Sequence, residues 1–453
     1  MTQPSKVFRA LVAAGLCSTL GAPAFADAQS DRLQALEKRL EGSVKVIETL
    51  SARIAELERQ AKAAPALASA QAAQAVQAVQ AVQAQTMATL QDSVTQLSEG
   101  LNRRSSDSGL PVHGFADVGA AWSSGNDPGK LRGFNAGTLD LYLTPQFGDR
   151  VKGLAELVVE YGQDGGVAVD LERLQLGYTV NDALTVWLGR FHTPYGLWNT
   201  DFHHGANLQT SISRPRFIEF EDKGGILPAH SVGVWATGKT ALGGGKLTYD
   251  AYLANGPRIA ERTLDFSAYT DGNANKMLGG NLGYQAGGAL SGLTLGVHAF
   301  GSTVEVHDNN AAVISATKLR MAGAYVSYDE NDWEVIGEVY HFANVDLGAN
   351  QRHASNIGFL QVGRTFGAWT PFVRLEKAAL DPADHYFRSQ ASGRSYRRAA
   401  FGLRYALDPR SSFKFELSDT SDSAANLIDE TGAVLPFTAR SYRRAAFQYS
   451  VAF

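Results

Sequence analysis

Cysteine is almost missing from this 453-residue chain, and so are long apolar runs and any excess of basic charge. The one cysteine, Cys17, sits in an apolar N-terminal stretch that reads as a cleaved leader, so the mature chain has no disulfide, catalytic thiol or thiolate metal site. Leu16 before it is too bulky for a lipoprotein cleavage site, which argues against a lipid anchor. Beyond the first two dozen residues no apolar run approaches the roughly 20 residues of a spanning helix, and mean hydropathy is only −0.16. The formal net charge of −4 argues against nucleic acid as a partner. No phosphate-binding glycine loop is present, since Gly243-Gly244-Gly245 lies in a turn with no helix after it. Ser211 and Ser213 lie near His203 and His204 in sequence, but nothing resembles a nucleophile motif. Adjacent His203 and His204 on an extended segment point to opposite sides with no third ligand beside them. No enzyme activity, catalytic residue, cofactor or metal is therefore expected.

What the chain has is glycine, 46 residues, and 10% aromatic residues, a composition that suits strands, turns and aromatic girdles but also a large soluble β-sandwich. The last residues separate these two. Phe447, Tyr449, Val451 and Phe453 alternate with Gln448, Ser450 and Ala452, the period of a strand with one apolar and one wet face. Ending on an aromatic residue with polar residues facing inward is how bacterial outer-membrane barrels usually finish. At the other end Lys6 and Arg9 precede an apolar Ala10–Leu20 and a small-x-small site at Ala24-Phe25-Ala26, the parts of a secretory signal peptide over 1–26. That segment holds two basic and no acidic residues, so its removal takes the charge from −4 to −6.

Residues 27–60 carry a heptad. Leu33, Leu40, Ile47 and Ile54 fall at a, and Leu36, Ser43, Leu50 and Leu57 at d, a narrow stripe that favours a coiled coil over the alternative of an amphipathic helix packed on its own domain. Arg32-Leu33-Gln34-Ala35-Leu36-Glu37 and Arg53-Ile54-Ala55-Glu56-Leu57-Glu58 both match an Arg-h-x-x-h-Glu trimerisation hexad. Exposed Arg–Glu pairs of that kind contribute only tenths of a kcal/mol, so they select the oligomer more than they stabilise it. Ile at a with Leu at d leans towards a dimer; two hexads tip the expectation to a homotrimer. Residues 61–110 read as an Ala/Gln-rich helical spacer and linker, with Gln-Ala-Val repeated over 74–82.

From 111 to 453 the pattern predicts an all-β transmembrane barrel of about 16 antiparallel strands. They start near Val112, Thr138, Val151, Val169, Ala183, Ser231, Lys246, Lys276, Leu293, Thr317, Trp333, Ser355, Trp369, Tyr396, Ser412 and Arg440. Connections alternate between tight turns (Gly148-Asp149-Arg150, Asn181-Asp182, Asp329–Asp332, Gly367-Ala368) and long segments (Ser123–Gly137, Pro257–Asn275, Ala379–Gly393, Asp419–Thr438), the arrangement of periplasmic turns and extracellular loops. Ser-Tyr-Arg-Arg-Ala-Ala-Phe occurs at both Ser395–Phe401 and Ser441–Phe447.

Together, the leader, coiled coil, 16-strand pattern and terminal Phe resemble trimeric outer-membrane porins, in particular the DcaP-like and phosphate-selective (porin O/P-like) families, the former with an N-terminal coiled coil. The stretch Gly189-Arg190-Phe191-His192-Thr193-Pro194-Tyr195-Gly196 is similar to segments of such porins. The resemblance implies a bacterial outer-membrane location with the coiled coil in the periplasm. It also implies partners that are outer-membrane lipid, two further copies of the chain and small hydrophilic solutes, and a third outer loop folded into the lumen. Here that loop runs from Phe191 to Ala229 and holds His203, His204, Arg214, Arg216, Glu219, Glu221 and Asp222, basic groups first and acidic after. Opposed charges at a constriction orient dipolar solutes and set ion preference.

Parity with lipid-facing residues sends Arg374, Arg398, Arg404, Arg444 and Lys414 inward on the final strands, with Glu376 and Glu416, and Glu156 and Glu160 inward on the third strand. Glu334 and Glu338 follow on the eleventh. A basic ladder on the final strands favours anions or carboxylates. The rival expectation is a structural outer-membrane anchor whose coiled coil contacts peptidoglycan or a periplasmic partner. A peptide of residues 27–60 is expected to sediment as a helical trimer; a monomer or dimer contradicts the hexad reading.

Overall fold

The computed structural model describes residues 112–453, apart from 128, 130–131, 162–166, 204–206, 222, 266–274 and 309, together with Ala52. The expected signal peptide, coiled coil and spacer, with the trimerisation residues from Arg32 to Glu58, lie outside the described residues, as do His204 and Asp222. Contacts divide the chain into Met1–Gly109 and Leu110–Phe453, and the strands lie in the second unit.

Period-two alternation becomes sixteen barrel strands. These are β1 (Val112–Gly125), β2 in two pieces (Arg132–Asn135 and Thr138–Leu143), β3 (Val151–Tyr161), β4 (Val167–Asn181), β5 (Leu184–His192), β6 (His230–Leu242), β7 (Gly245–Asn255) and β8 (Lys276–Gln285). They continue as β9 (Leu293–His307), β10 (Val313–Glu330), β11 (Trp333–Asp346), β12 (Gln351–Arg364), β13 (Trp369–Ala379), β14 (Tyr396–Asp408), β15 (Ser411–Asp422) and β16 (Arg440–Ala452). Each strand pairs antiparallel with the next. β16 then pairs with β1 from Phe115 opposite Ala452 to Gly125 opposite Tyr442, which closes the cylinder. Phe453 extends the seam, exchanging two backbone hydrogen bonds of 3.0 Å with Gly114. Among the described residues no helix is long and apolar enough to cross a membrane.

Most strand starts fall within two residues of the sequence expectation. The exceptions are β10 and β12, expected at Thr317 and Ser355 and found at Val313 and Gln351, and the extra piece of β2 at Arg132–Asn135. Val313, Ile314, Gln351 and Arg352 are all exposed, so the first rungs carry no apolar-out, polar-in signature to read. The turn at Asn331-Asp332 holds φ at +55° and +67°, the mirror-image two-residue turn whose twist matches antiparallel strands.

The outer face is apolar around the cylinder: Leu176, Leu188, Leu253, Leu295, Val339 and Leu375 are among its exposed residues. Aromatic residues gather near the tight turns. Trp369 packs on Tyr405 with ring centroids 4.3 Å apart, and Phe413 on Tyr449 at 5.1 Å. This matches the girdle of an interfacial belt. A cluster of buried apolar residues lies on the inside, where Trp198, Phe217, Ile226 and Leu227 from the connection between β5 and β6 join Tyr340, Phe342, Ile357 and Phe359. Fully burying such side chains contributes about 1.5–3 kcal/mol each.

The seam is testable because the chain beyond Cys17 has no thiol. Val118 and Tyr449 are directly opposite across β1 and β16. The double variant Val118→Cys, Tyr449→Cys is expected to oxidise to an internal disulfide, read as a reductant-sensitive gel shift; free thiols in the folded protein contradict closure at this register.

Candidate functional site

The connection between β5 and β6, 37 residues from 193 to 229, crosses the barrel interior to the opposite wall. Its start is set by the Gly189–Gly196 stretch. Thr193 Oγ1 lies 2.7 Å from Ser231 Oγ, and Tyr195 is fully buried. Gly196 has φ +62°, and a Cβ there would stand 2.1 Å from Glu338 Oε2 and 2.6 Å from the Tyr340 hydroxyl, so glycine is required where the chain leaves the wall. The following backbone N–H groups of Leu197 and Trp198 donate to Glu338 Oε1 at 3.2 and 2.6 Å, at the entry to the short helix Trp198–Asp201.

At the far side, carboxylates and guanidinium groups of β11 and β13–β15 hold the loop by its backbone. Glu416 Oε2 accepts from the N–H groups of Ile212 and Ser213 at 3.0 and 3.1 Å, and its other oxygen accepts from the Ser213 hydroxyl. Glu376 accepts from the Arg216 N–H at 2.8 Å. Arg374, fully buried, donates to the Ser213 carbonyl at 2.8 Å, to the Arg214 carbonyl at 3.2 Å and to Glu376 at 2.9 Å. Arg398 donates to Ser213 Oγ at 2.7 Å and to Glu416 at 3.3 Å. Thr210 donates to Glu334. Charge-assisted bonds of this kind are about twice as strong as neutral ones, and here they meet on five residues of the loop, Thr210, Ile212, Ser213, Arg214 and Arg216.

The expected site residues therefore separate into different jobs. Arg374, Arg398, Lys414, Glu156 and Glu160 all face inward, as parity required. Arg374 and Arg398, however, are paired with Glu376 and Glu416 and engaged with the loop. Lys414 is buried and donates to the Ser211 carbonyl at 3.4 Å. Arg444 forms a two-pronged pair with Asp127 at 2.7 and 2.6 Å. Arg404 is the exception: it is half-buried, donates to the Asn207 carbonyl at 3.3 Å and forms no ion pair among the described residues. Glu156 pairs with Arg173, and Glu160 with Lys223 of the loop.

Within the loop, Arg214 is buried, stacks over the Phe220 ring at 4.2 Å and donates to the His203 carbonyl at 2.8 Å. Arg216 pairs with Asp422, whose other partners are Arg394 and Arg440. Burial raises the Glu219 carboxyl above its usual range, with Arg214 and Arg398 opposing. Glu221 accepts from the N–H groups of Ala229 and His230 and so fixes the loop's exit. Sequence reasoning missed His192, His230 and Glu172 beside His203; their only signal was that His192 and His230 flank the long connection. Asp422 and Asp127, carboxylates near strand ends, carried no sequence signal.

A second connection, 380–395, packs onto the first: Tyr386, fully buried, donates to the Ile226 carbonyl at 2.6 Å. Asp384 caps the helix His385–Arg388 through the Tyr386 N–H at 3.0 Å and accepts from Asn344 at 2.8 Å.

No protein-family model matches this chain, and no curated protein matches it in sequence. In fold it is similar to the anion-selective porin from Comamonas acidovorans, at 15% identity over 76% of this chain and 98% of that one, with a TM-score of 0.50. It is also similar to the outer-membrane channel DcaP of Acinetobacter baumannii (12% identity, 76% and 96% covered, TM-score 0.47). A loop-deleted OmpT, an outer membrane protein of Vibrio cholerae, gives 11% identity, 76% and 98% covered and a TM-score of 0.46.

Burial pushes the Asp384 carboxyl up to about 6, against the hydrogen bonds from Asn344 and Tyr386 and the charge of His353; Asp346 adds to the rise. The folded state therefore binds the proton more tightly than the unfolded one, and this contribution is complete below pH about 4 and lost as pH rises through about 6. Hydrogen exchange in 380–395, corrected for intrinsic rates, is expected to speed up about tenfold from pH 4 to 7. Asp384→Asn should flatten that profile; an unchanged profile contradicts it.

Proposed function

We propose that this chain is a bacterial outer-membrane porin, a passive water-filled channel for small hydrophilic solutes. The observation that carries this reading is the closed 16-strand cylinder with an apolar outer face, a charged interior and a long connection lying across its bore. A soluble protein has no use for an apolar belt around its exterior, and a lipid-embedded sheet must close. In this reading residues 193–229 form the constriction, with His203, His204, Arg214, Arg216, Glu219, Glu221 and Asp222 on or beside it. The coiled coil over 27–60 clamps a homotrimer on the periplasmic side. No catalytic role is assigned to any residue.

Selectivity is proposed to favour anions or carboxylates, in keeping with the fold likeness to the anion-selective porin from Comamonas acidovorans. The bases concentrate on β13–β16, while acids such as Asp117, Asp140, Glu156 and Glu172 lie on β1–β4. Because Arg374 and Arg398 are neutralised by Glu376 and Glu416, the field at the bore depends most on Arg404. A unit charge about 4 Å from a passing ion in water is worth about 1 kcal/mol, roughly fivefold in local ion preference.

Reversal potentials in a salt gradient across a planar bilayer test this. Arg404→Ala is expected to shift the permeability ratio towards cations, by up to about fivefold, and Arg398→Ala to shift it less. Equal ratios for the original chain and Arg404→Ala would remove the assigned basis of selectivity. Folded protein that inserts without conducting would favour the anchor over the channel.

A further inference from the structure

We propose that the base of the long connection is a binding site for one divalent transition-metal ion of the Zn2+ or Co2+ class, ligated by His192, His203, His230 and Glu172. It is independent of whether the barrel conducts. His192 ends β5 and His230 begins β6, directly opposite each other. His203 comes back to them from within the loop. The three imidazoles are buried, and one nitrogen from each lies within 4.8 Å of the others.

Tautomers decide what those nitrogens present. The Asn199 amide nitrogen donates to the Thr193 and Ala229 carbonyls at 2.9 and 3.1 Å, so its oxygen is the atom 2.9 Å from His203 Nδ1. His203 must then carry a proton on Nδ1, and in the neutral ring its Nε2 offers a lone pair. That Nε2 stands 2.9 Å from His230 Nε2, which in turn lies 2.6 Å from Glu172 Oε2. His230 Nε2 thus stands between the lone pair of His203 and a carboxylate oxygen of Glu172. A shared proton on His230 serves this arrangement without metal; a cation with bonds of about 2.0–2.1 Å serves it better, because all the lone pairs then point at charge. Ligand nitrogens on a tetrahedral ion are about 3.3 Å apart, so His203 and His230 need to part by only tenths of an ångström. His192 is stacked on His203 with centroids 3.6 Å apart and its Nε2 lies 3.4 Å from Glu156 Oε2, so it completes the set by turning its ring towards the ion.

The outer partners suit ligands as well. Asn199 orients His203, and Glu221 Oε2 lies 3.5 Å from His230 Nδ1 while its other oxygen is held by backbone N–H groups. Such acceptors fix the ring and raise the basicity of the ligating nitrogen. A small recess beside His230, lined also by Phe220, Lys223 and the carboxylates of Glu160, Asp170, Glu172 and Glu221, gives the surroundings a negative balance that favours a cation. Three histidines and a carboxylate select borderline transition metals over Mg2+ or Ca2+. Bound there, the ion would join the two ends and the interior of a 37-residue loop to one point of the wall.

The test uses the full chain without residues 1–26, folded in detergent, stripped with a chelator and titrated with Co2+. The expected result is saturation at one ion per chain, with the intense visible absorption of four-coordinate cobalt and displacement by Zn2+. His203→Ala and His230→Ala, accepted only when heat-modifiable migration shows a folded barrel, should each weaken binding about 100-fold, and Asn199→Ala about tenfold. If neither histidine variant folds, the cobalt spectrum of the unaltered chain decides alone. Only the weak spectrum of hexaaqua Co2+, or binding unchanged in a folded His203→Ala protein, overturns the site.

Discussion

Everything in this molecule depends on closing the backbone hydrogen bonds between its first and last strands. Inside hydrocarbon an unpaired peptide group costs several kcal/mol, and an open sheet of this length would leave two rows of them. The seam between β1 and β16 removes both rows in one register, and Phe453 adds two more bonds to it. Once the edges are gone, outward side chains need only be apolar. Inward ones are free to be charged, and that freedom makes a functional interior possible.

The interior uses much of its charge as fixings. Glu338, Glu376 and Glu416 accept from loop backbone N–H groups, and Arg374 and Arg398 donate to loop carbonyls, so the wall supplies the partners that a loop lying inside a barrel would otherwise lack. Trp198 and Phe217 complete the attachment by packing on Phe359 and Tyr340, with ring centroids 5.5 and 4.9 Å apart. The loop is thereby built into the barrel on one side. A group that both neutralises a neighbour and holds the loop has little field left to show the interior, so in the proposed channel few charges remain to act on a solute.

The strand plan was largely legible in the sequence, because a barrel writes the same alternation sixteen times and each tight turn carries its own residues, as at Asn331-Asp332. Inward orientation of Arg374, Arg398, Lys414 and Glu416 followed from parity alone. What parity cannot supply is register across the bore. That Glu416 meets Ser213, some two hundred residues away, depends on where the long loop travels, and loop paths have no period. The histidine cluster was hidden for the same reason. His203 beside His204 looked like a poor ligand pair, and only antiparallel pairing of β5 with β6 brings His192 and His230 to it.

The alternation itself is the most direct thing to measure. Single-cysteine variants along β14 from Arg398 to Arg404, spin-labelled in lipid vesicles, report collision rates with oxygen in the lipid and with a water-soluble nickel chelate. Labels at 399, 401 and 403 should meet oxygen, and labels at 398, 400, 402 and 404 should be shielded from it, with a period of two. Labels that all see water equally would contradict a lipid-facing cylinder with an aqueous bore.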